Sequence, residues 1–308
     1  MTVFLTLFGK ILPLYISVVL GVLGSALLKC DKDTLAKIVL FLLAPLIMFN
    51  ATLSVKLDFS VIFLPLFFFC FSTILAFILL VIFKKIWSDS TANLLAFSTA
   101  TGNTGNIGIP LAVIFLDKHL VDIFIFTILA SMLYQNSIGY YITAKGNFSA
   151  RQSIKKVLKL PVLYAFILGI VLNMLGVTIP LVLHDYTDYV KGAYAILGMM
   201  LLGMGMEKIK TNNAWDFKFI SISLFVKFVV WPGLVLFYIY LDKHFFHILN
   251  EGLYTVMFLF SIVPLAANTV TIATLLHVKP EKMSLAVFIS TLISLIYIPV
   301  VLFFYMKP

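Results

Sequence analysis

Thr101-Gly102-Asn103-Thr104-Gly105-Asn106-Ile107-Gly108-Ile109-Pro110 lies inside an apolar segment long enough to cross a bilayer. Three glycines and a proline in so short a run disfavour a continuous helix. Asn103 and Asn106 are costly in hydrocarbon unless something bonds them. Irregular backbone at membrane depth is tolerated only where protein buries it or where it lines a cavity. A second interruption falls far downstream, at Ser261-Ile262-Val263-Pro264-Leu265-Ala266-Ala267-Asn268-Thr269.

The surrounding chain confirms the membrane setting. Of its 308 residues 62% are hydrophobic and only 11% charged, and mean hydropathy is +1.11. A soluble domain carries roughly a quarter charged residues. The fold class is therefore an all-α polytopic membrane protein, with little chain left for a soluble domain. A net charge of +9 does not call for nucleic acid, because the basic residues sit in short loops between apolar runs. Cys30 and Cys70 have no metal spacing and are expected to be inert packing residues. Met1–Leu28 lacks a charged start and a cleavage motif, and reads as the first spanning helix rather than a removed signal.

A span needs about 20 apolar residues. Ten segments qualify, at roughly 4–28, 35–54, 60–83, 91–116, 121–144, 158–178, 189–206, 217–240, 252–276 and 283–305. Loops after the odd-numbered segments hold fifteen of the 22 Lys and Arg, and the opposite side holds six. By the positive-inside bias, the odd loops, including the basic stretch 145–157, face the cytoplasm and both termini lie outside. The location expected is a plasma (inner) membrane.

The two halves look related. Gly21 follows Pro13 by eight residues, Gly169 follows Pro161 by eight, and Pro110 is answered by Pro264. A repeat of five spans must enter the second time from the opposite side, which gives two inverted five-helix repeats, 1–144 and 158–308. Paired broken helices in such repeats point to the binding site of a secondary transporter.

At the first break Asn103 and Asn106 offer donors and acceptors, and Thr101 and Thr104 add hydroxyls. Gly105 and Gly108 would let a backbone or a substrate come close. At the second break Pro264 precedes Asn268, Thr269, Thr271 and Thr274, of which Asn268 is the informative residue. Free N–H groups at the start of a half-helix attract anions. If the breaks cross, Asn103 and Asn268 face one small polar volume. The structural alternative is a kinked helix packed through small residues, with Asn as interhelical glue. Asn50, Gln135 and Asn136, also inside spans, read as such glue.

Lys227 lies mid-span with no acid at similar depth. Its partner is expected among carbonyls, an Asn or a substrate anion. It either neutralises half-helix carbonyl ends or attracts an anionic substrate. No metal or cofactor site is legible. His-Glu-x-x-His and Gly-x-Ser-x-Gly are absent, and the five histidines sit at loops or span ends, so an enzyme is not expected.

With these residues in hand, the sequence resembles the auxin efflux carrier family, in its bacterial form. Gly102–Pro110 resembles that family's fourth-helix crossover and Val263–Asn268 its ninth. Leu168–Asn173, Leu197–Gly198 and Ser290–Pro299 also fit. The resemblance implies a fold like that of bile-acid sodium symporters and some sodium/proton antiporters. Spans in 4–54 and 158–206 would form a scaffold, and those in 60–144 and 217–305 a transport domain moving as an elevator. Asn103 matches the family's carboxylate-binding Asn, and Asn106 and Asn268 match polar crossover positions. The long loop of plant members is absent, and no embedded carboxylate matches the ion sites of the antiporters.

The expected function is transport of a small organic anion, a mono- or dicarboxylate, held by Asn103, Thr104, Asn106, Asn268 and Thr269. Partners are that substrate and the bilayer, with a homodimer through the scaffold helices compatible. Uniport and coupling to Na⁺ or H⁺ both stay open. The rivals are a channel or cation exchanger of the same fold, and a receptor that binds without transport.

Overall fold

The helices start where short polar side chains or proline can start them. The computed structural model describes residues 13, 16–54, 59–206 and 215–305. Lys10, Lys56, Glu207, Lys208, Lys210 and Lys307, and most of the first half of the first segment, lie outside them. Helix α1 is Ile16–Ala26. Asp31 caps α2, Lys32–Ser54, accepting from the N–H groups of Asp33 and Thr34. Helix α3 is Phe59–Lys84. The fourth segment is split into α4, Thr91–Thr99, and α5, 104–115. Asp117 caps α6, Lys118–Ala144.

Ser149 and Gln152 form a reciprocal capping box at α7, Ala150–Leu158. Pro161 opens α8, Pro161–Met174, where a missing N–H costs nothing. Helix α9 is His184–Met206. Asp216 caps α10, Phe217–Phe246. Asn250 caps α11, Glu251–Ser261, and after the second break come α12, Asn268–Leu275, and α13, Pro280–Tyr305.

Among the described residues every regular element is a helix. Five of them, α2, α3, α6, α10 and α13, are long and apolar enough to cross a bilayer, and α7 with α8, bent by 50°, makes a sixth. Leu66, Ile74 and Val81 on α3 and Ile167 and Val171 on α8 are exposed. A soluble monomer rarely shows so much apolar surface, whereas lipid covers it at no cost.

The interior is bound together by rings. Phe68 of α3 stacks on Trp231 of α10 at 6.0 Å and packs on Phe260 of α11 at 4.3 Å. Phe124 of α6 meets Phe260 at 5.5 Å. This cluster lies directly behind the two breaks. Elsewhere glycine sets helix spacing. A Cβ at Gly21 of α1 would collide with the Met200 backbone of α9, and one at Gly203 with the Val18 backbone. A Cβ at Gly169 of α8 would collide with Thr52 of α2. One expectation is corrected: Cys30 and Cys70 are both exposed, so neither packs in the interior. Their apolar neighbours in sequence do not distinguish a face turned to the core from one turned outward.

Candidate functional site

The two broken segments meet. The Asn103 N–H donates to the Pro264 carbonyl at 2.8 Å. The Asn103 side chain caps α5, its Oδ1 accepting from the Asn106 N–H at 3.3 Å. Proline has no N–H to pair, but its carbonyl still needs a donor when buried, and the other break supplies it.

Beside this junction lies a cavity of about 510 Å³. One wall is the crossing itself, Gly102 to Asn106, Ile109 and Pro110 from the first break and Ala266 to Asn268 from the second. The other walls come from α2, α6 and α9, with Ile47, Ile128, Met132, Tyr194 and Gly198 among the lining residues. Most of the lining is apolar. The expected small polar volume is therefore corrected to a large, mainly apolar cavity with polar groups along one side. Neither Thr99 nor Ser261, where α4 and α11 end, lines it. The cavity thus meets the starts of α5 and α12, where backbone N–H groups lack intrahelical partners and the dipole is positive.

Of the site residues read from the sequence, Asn103, Thr104, Gly105, Asn106, Pro110 and Asn268 line the cavity. A Cβ at Gly105 would meet nothing within 4 Å, so this glycine faces open space. The other residues do not line it. Thr269 is fully buried and donates to the Ala266 carbonyl at 2.6 Å, because a hydroxyl near a helix start finds its own backbone first. Gly108 packs on Phe124, whose Cζ would lie 2.8 Å from an added Cβ, so it serves helix contact. Pro264 acts through its carbonyl. Lys227 lies behind the crossing.

Lys227 has neither of the protein partners expected for it, a carbonyl or an Asn, among the described residues. Its Nζ is buried and without a hydrogen-bond partner among the described residues, and sits 3.9 Å above the ring of Trp231. The ring is reached because both residues lie on α10 four apart. Such a contact favours a cation by about 0.5 to 2 kcal/mol.

Gln135 contributes more than interhelical glue. Its Nε2 donates to Thr101 Oγ1 at 2.9 Å and its Oε1 accepts from Asn268 Nδ2 at 2.9 Å. One α6 side chain therefore ties the first break to the second, and it also lines the cavity. Asn50 does not line the cavity, and Asn136 donates to the Met132 carbonyl of its own helix at 2.7 Å. The sequence signal for Gln135 was an amide mid-span, and nothing in the sequence separated it from Asn136. Wide π-type turns mark the same region, at Thr104–Gly108, Gln135–Gly139 and Val226–Val230. Such turns concentrate at functional sites. Among the described residues, three buried polar atoms of lining side chains have no partner: Asn103 Nδ2, Asn268 Oδ1 and Thr271 Oγ1. Buried polar atoms are seldom left so, and a ligand or water is the usual explanation.

A family model described as membrane transport protein matches residues 145–302. The chain belongs to this family, that of the auxin efflux carriers. The match runs from the end of α6 into α13 and contains Lys227, Pro264 and Asn268. The first break stands outside it, and its link to the family rests on the crossing with the matched second break. Membership makes the chain a membrane transporter. No curated protein matches the sequence.

Proposed function

We propose that this membrane transporter is a secondary carrier for a small organic anion, a mono- or dicarboxylate, working by alternating access. The observation that carries the reading is the cavity at the crossing, into which two half-helix starts and the free Asn103 Nδ2 bring positive potential and a donor. The carboxylate is held there, and the apolar lining from α2, α6 and α9 covers the hydrocarbon body of the substrate. Lys191 stands at the rim, paired with Asp188 at 2.9 Å.

The walls of the cavity support the division into two domains. Val39, Ile47 and Ala51 of α2 and Tyr194, Ala195 and Gly198 of α9 line the cavity opposite the crossing, and in this reading they belong to the scaffold while the crossing belongs to the moving part. The glycine contacts support the inverted repeat. Gly21 and Gly169 stand at equivalent positions of segments one and six. Gly21 meets segment seven and Gly169 meets segment two, the reciprocal pairing that a two-fold relation between the halves gives.

On α9 the lining residues Lys191, Gly192 and Tyr194 lie in the half nearer His184, on the side with fewer basic residues, so the state is read as outward-open. At the opposite end Lys32 of α2 pairs with Glu281 of α13 at 3.3 Å.

The test is flux of labelled succinate and benzoate into proteoliposomes, with Asn103→Ala alongside. The expected result is saturable uptake of at least one of them by the wild type, lost in the variant. Folded wild-type protein that moves neither would overturn the carboxylate reading, and ion conductance without saturation would favour a channel.

A further inference from the structure

Lys227 is a buried charge-bearing group that the carrier reading leaves unused; Asp242, also buried, accepts hydrogen bonds from the Tyr254 hydroxyl and from the N–H groups of Ile248 and Leu249. Lys227 is fully buried on α10, and its Nζ has no acceptor among the described residues. An ammonium brings three donors and no acceptor capacity, and here its only favourable neighbour is the face of Trp231 at 3.9 Å.

Titratable groups on the surrounding elements do not answer it. The stretch 91–115 contains none. On α3 they are Cys70, which is exposed, and Lys84 in the last turn. On α11 Glu251 and Tyr254 are in the first turns, with Tyr254 bonded to Asp242 at 2.8 Å. On α13 they are Glu281 and Lys282 near the start, Tyr297, whose hydroxyl donates to the Phe228 carbonyl at 2.7 Å, and Tyr305 at the end. On α10 itself Lys218 faces Trp87, Tyr238 packs on Phe67, and Tyr240 and Asp242 to His244 stand at the far end.

The cavity, by contrast, is one backbone layer away. Gly102 lines it, and a Cβ added to Gly102 would lie 2.8 Å from Lys227 Nζ and 2.7 Å from Val263 Cγ2. The next residue is Asn103, with its unpaired amide nitrogen. A negative charge held by Asn103 would therefore be the nearest anion to Lys227. At such separations, behind protein and away from water, opposite charges interact strongly.

We propose that Lys227 is a proton site coupled to the ligand cavity. A carboxylate entering beside Asn103 is accompanied by one proton from solution, which adds to the Lys227 amine to give the ammonium and leaves again when the ligand leaves. With a monocarboxylate the loaded crossing then carries an anion and a cation together and is neutral as it moves; with a dicarboxylate it carries one net negative charge. This rests on the carboxylate reading above.

The experiment measures protons taken up from weakly buffered solution, with a pH indicator, when purified full-length protein is mixed with benzoate or succinate. Thermal shift in the same samples reports binding. The expected result is about one proton taken up per ligand bound, and an affinity that falls as pH rises, approaching tenfold per unit where the free amine carries no proton. In Lys227→Met the ligand-linked uptake is lost and residual binding no longer follows pH. A thermal shift without proton uptake in the wild type overturns the role of Lys227 and leaves the carboxylate reading standing. Equal uptake in Lys227→Met places the proton elsewhere and also overturns it. No shift with either probe overturns the carboxylate reading and the proton site together. Absence of uptake in the wild type overturns the proposal whether or not the variant folds, and Lys227→Gln is read in its place if Lys227→Met does not fold.

Discussion

Asn103 donates its backbone N–H to the carbonyl of Pro264 at 2.8 Å. That bond joins the two interruptions, and each break supplies what the other lacks. Pro264 ends one hydrogen-bonding run and leaves a carbonyl over, while Asn103 stands at the start of a half-helix and has an N–H to spare. The junction is main-chain, so the Asn103 side chain is left to cap α5 through Oδ1 and to bring its unpaired Nδ2 to the cavity.

Asn103→Ala keeps that junction and removes the side-chain cap on the Asn106 N–H together with the free Nδ2. Loss of such a cap costs about 1 kcal/mol of stability. The expected outcome is a small fall in melting temperature with loss of ligand binding, read by thermal denaturation with and without carboxylate. A large fall in stability with binding preserved would show that Asn103 serves only the fold.

Gln135→Leu removes both hydrogen bonds that join Thr101 and Asn268 and leaves those groups buried. Each unsatisfied group costs about 1 to 3 kcal/mol, so the variant should melt well below the wild type. Gln135→Glu keeps an acceptor for Asn268 Nδ2 but adds a negative charge beside the cavity, and should weaken anion binding more than it weakens the fold. Comparing melting temperature with binding in the two variants separates these effects.

The Lys32–Glu281 pair joins α2 to α13 on the side away from the cavity. Its direct contribution to stability is small, on the order of 1 kcal/mol for a partly exposed surface pair. A conformational balance of similar size would still shift several-fold. Lys32→Glu should reduce labelling of a cysteine at Ala195 by an impermeant thiol reagent added outside, in a background where Cys30 and Cys70 are replaced by serine. Lys32→Glu with Glu281→Lys should restore it. Unchanged labelling in all variants would mean that the pair does not hold the outward-open state.

Glycines at the two kinds of position should differ sharply. Gly203→Ala would put a Cβ into the Val18 backbone, which cannot move aside as a flexible side chain can. Folded yield should fall steeply. Gly105→Ala meets nothing within 4 Å and should fold normally, with the added methyl entering the cavity. Size-exclusion yield reads the first effect and ligand affinity the second.

Asp216 gives a pH prediction outside the membrane. Burial pushes its carboxyl up, but the hydrogen bond from Lys282 at 2.8 Å and the Phe219 N–H outweigh this, and the net value falls below the ordinary 3.8. A carboxyl lowered on folding adds stability above its unfolded value, and that stability is lost as pH falls through the folded value. Asp216→Asn should therefore lower the melting temperature at neutral pH. The gap from the wild type should close once the pH falls well below 3.8.

Much of the candidate site was legible because broken backbone in an apolar run announces itself. Gly102 to Pro110 and Pro264 to Asn268 were marked by residues that oppose helix, and they do meet. Thr269, expected to hold the ligand, bonds its own backbone instead, because a hydroxyl near a break carries no sequence signal for which way it faces. Gln135 was underweighted because an amide mid-span reads the same whether it bonds its own helix, as Asn136 does, or spans two breaks.

The sequence by itself determined that the chain is a helical membrane protein with two interruptions, since hydrophobic length and helix-breaking residues are local properties. Tertiary structure alone decided that the interruptions share one bond, that the cavity beside them is mainly apolar, and that Lys227 lies behind Gly102 with the Trp231 ring as its only partner among the described residues. Those are relations between residues distant along the chain. They depend on how helices pack, which periodicity and composition do not encode.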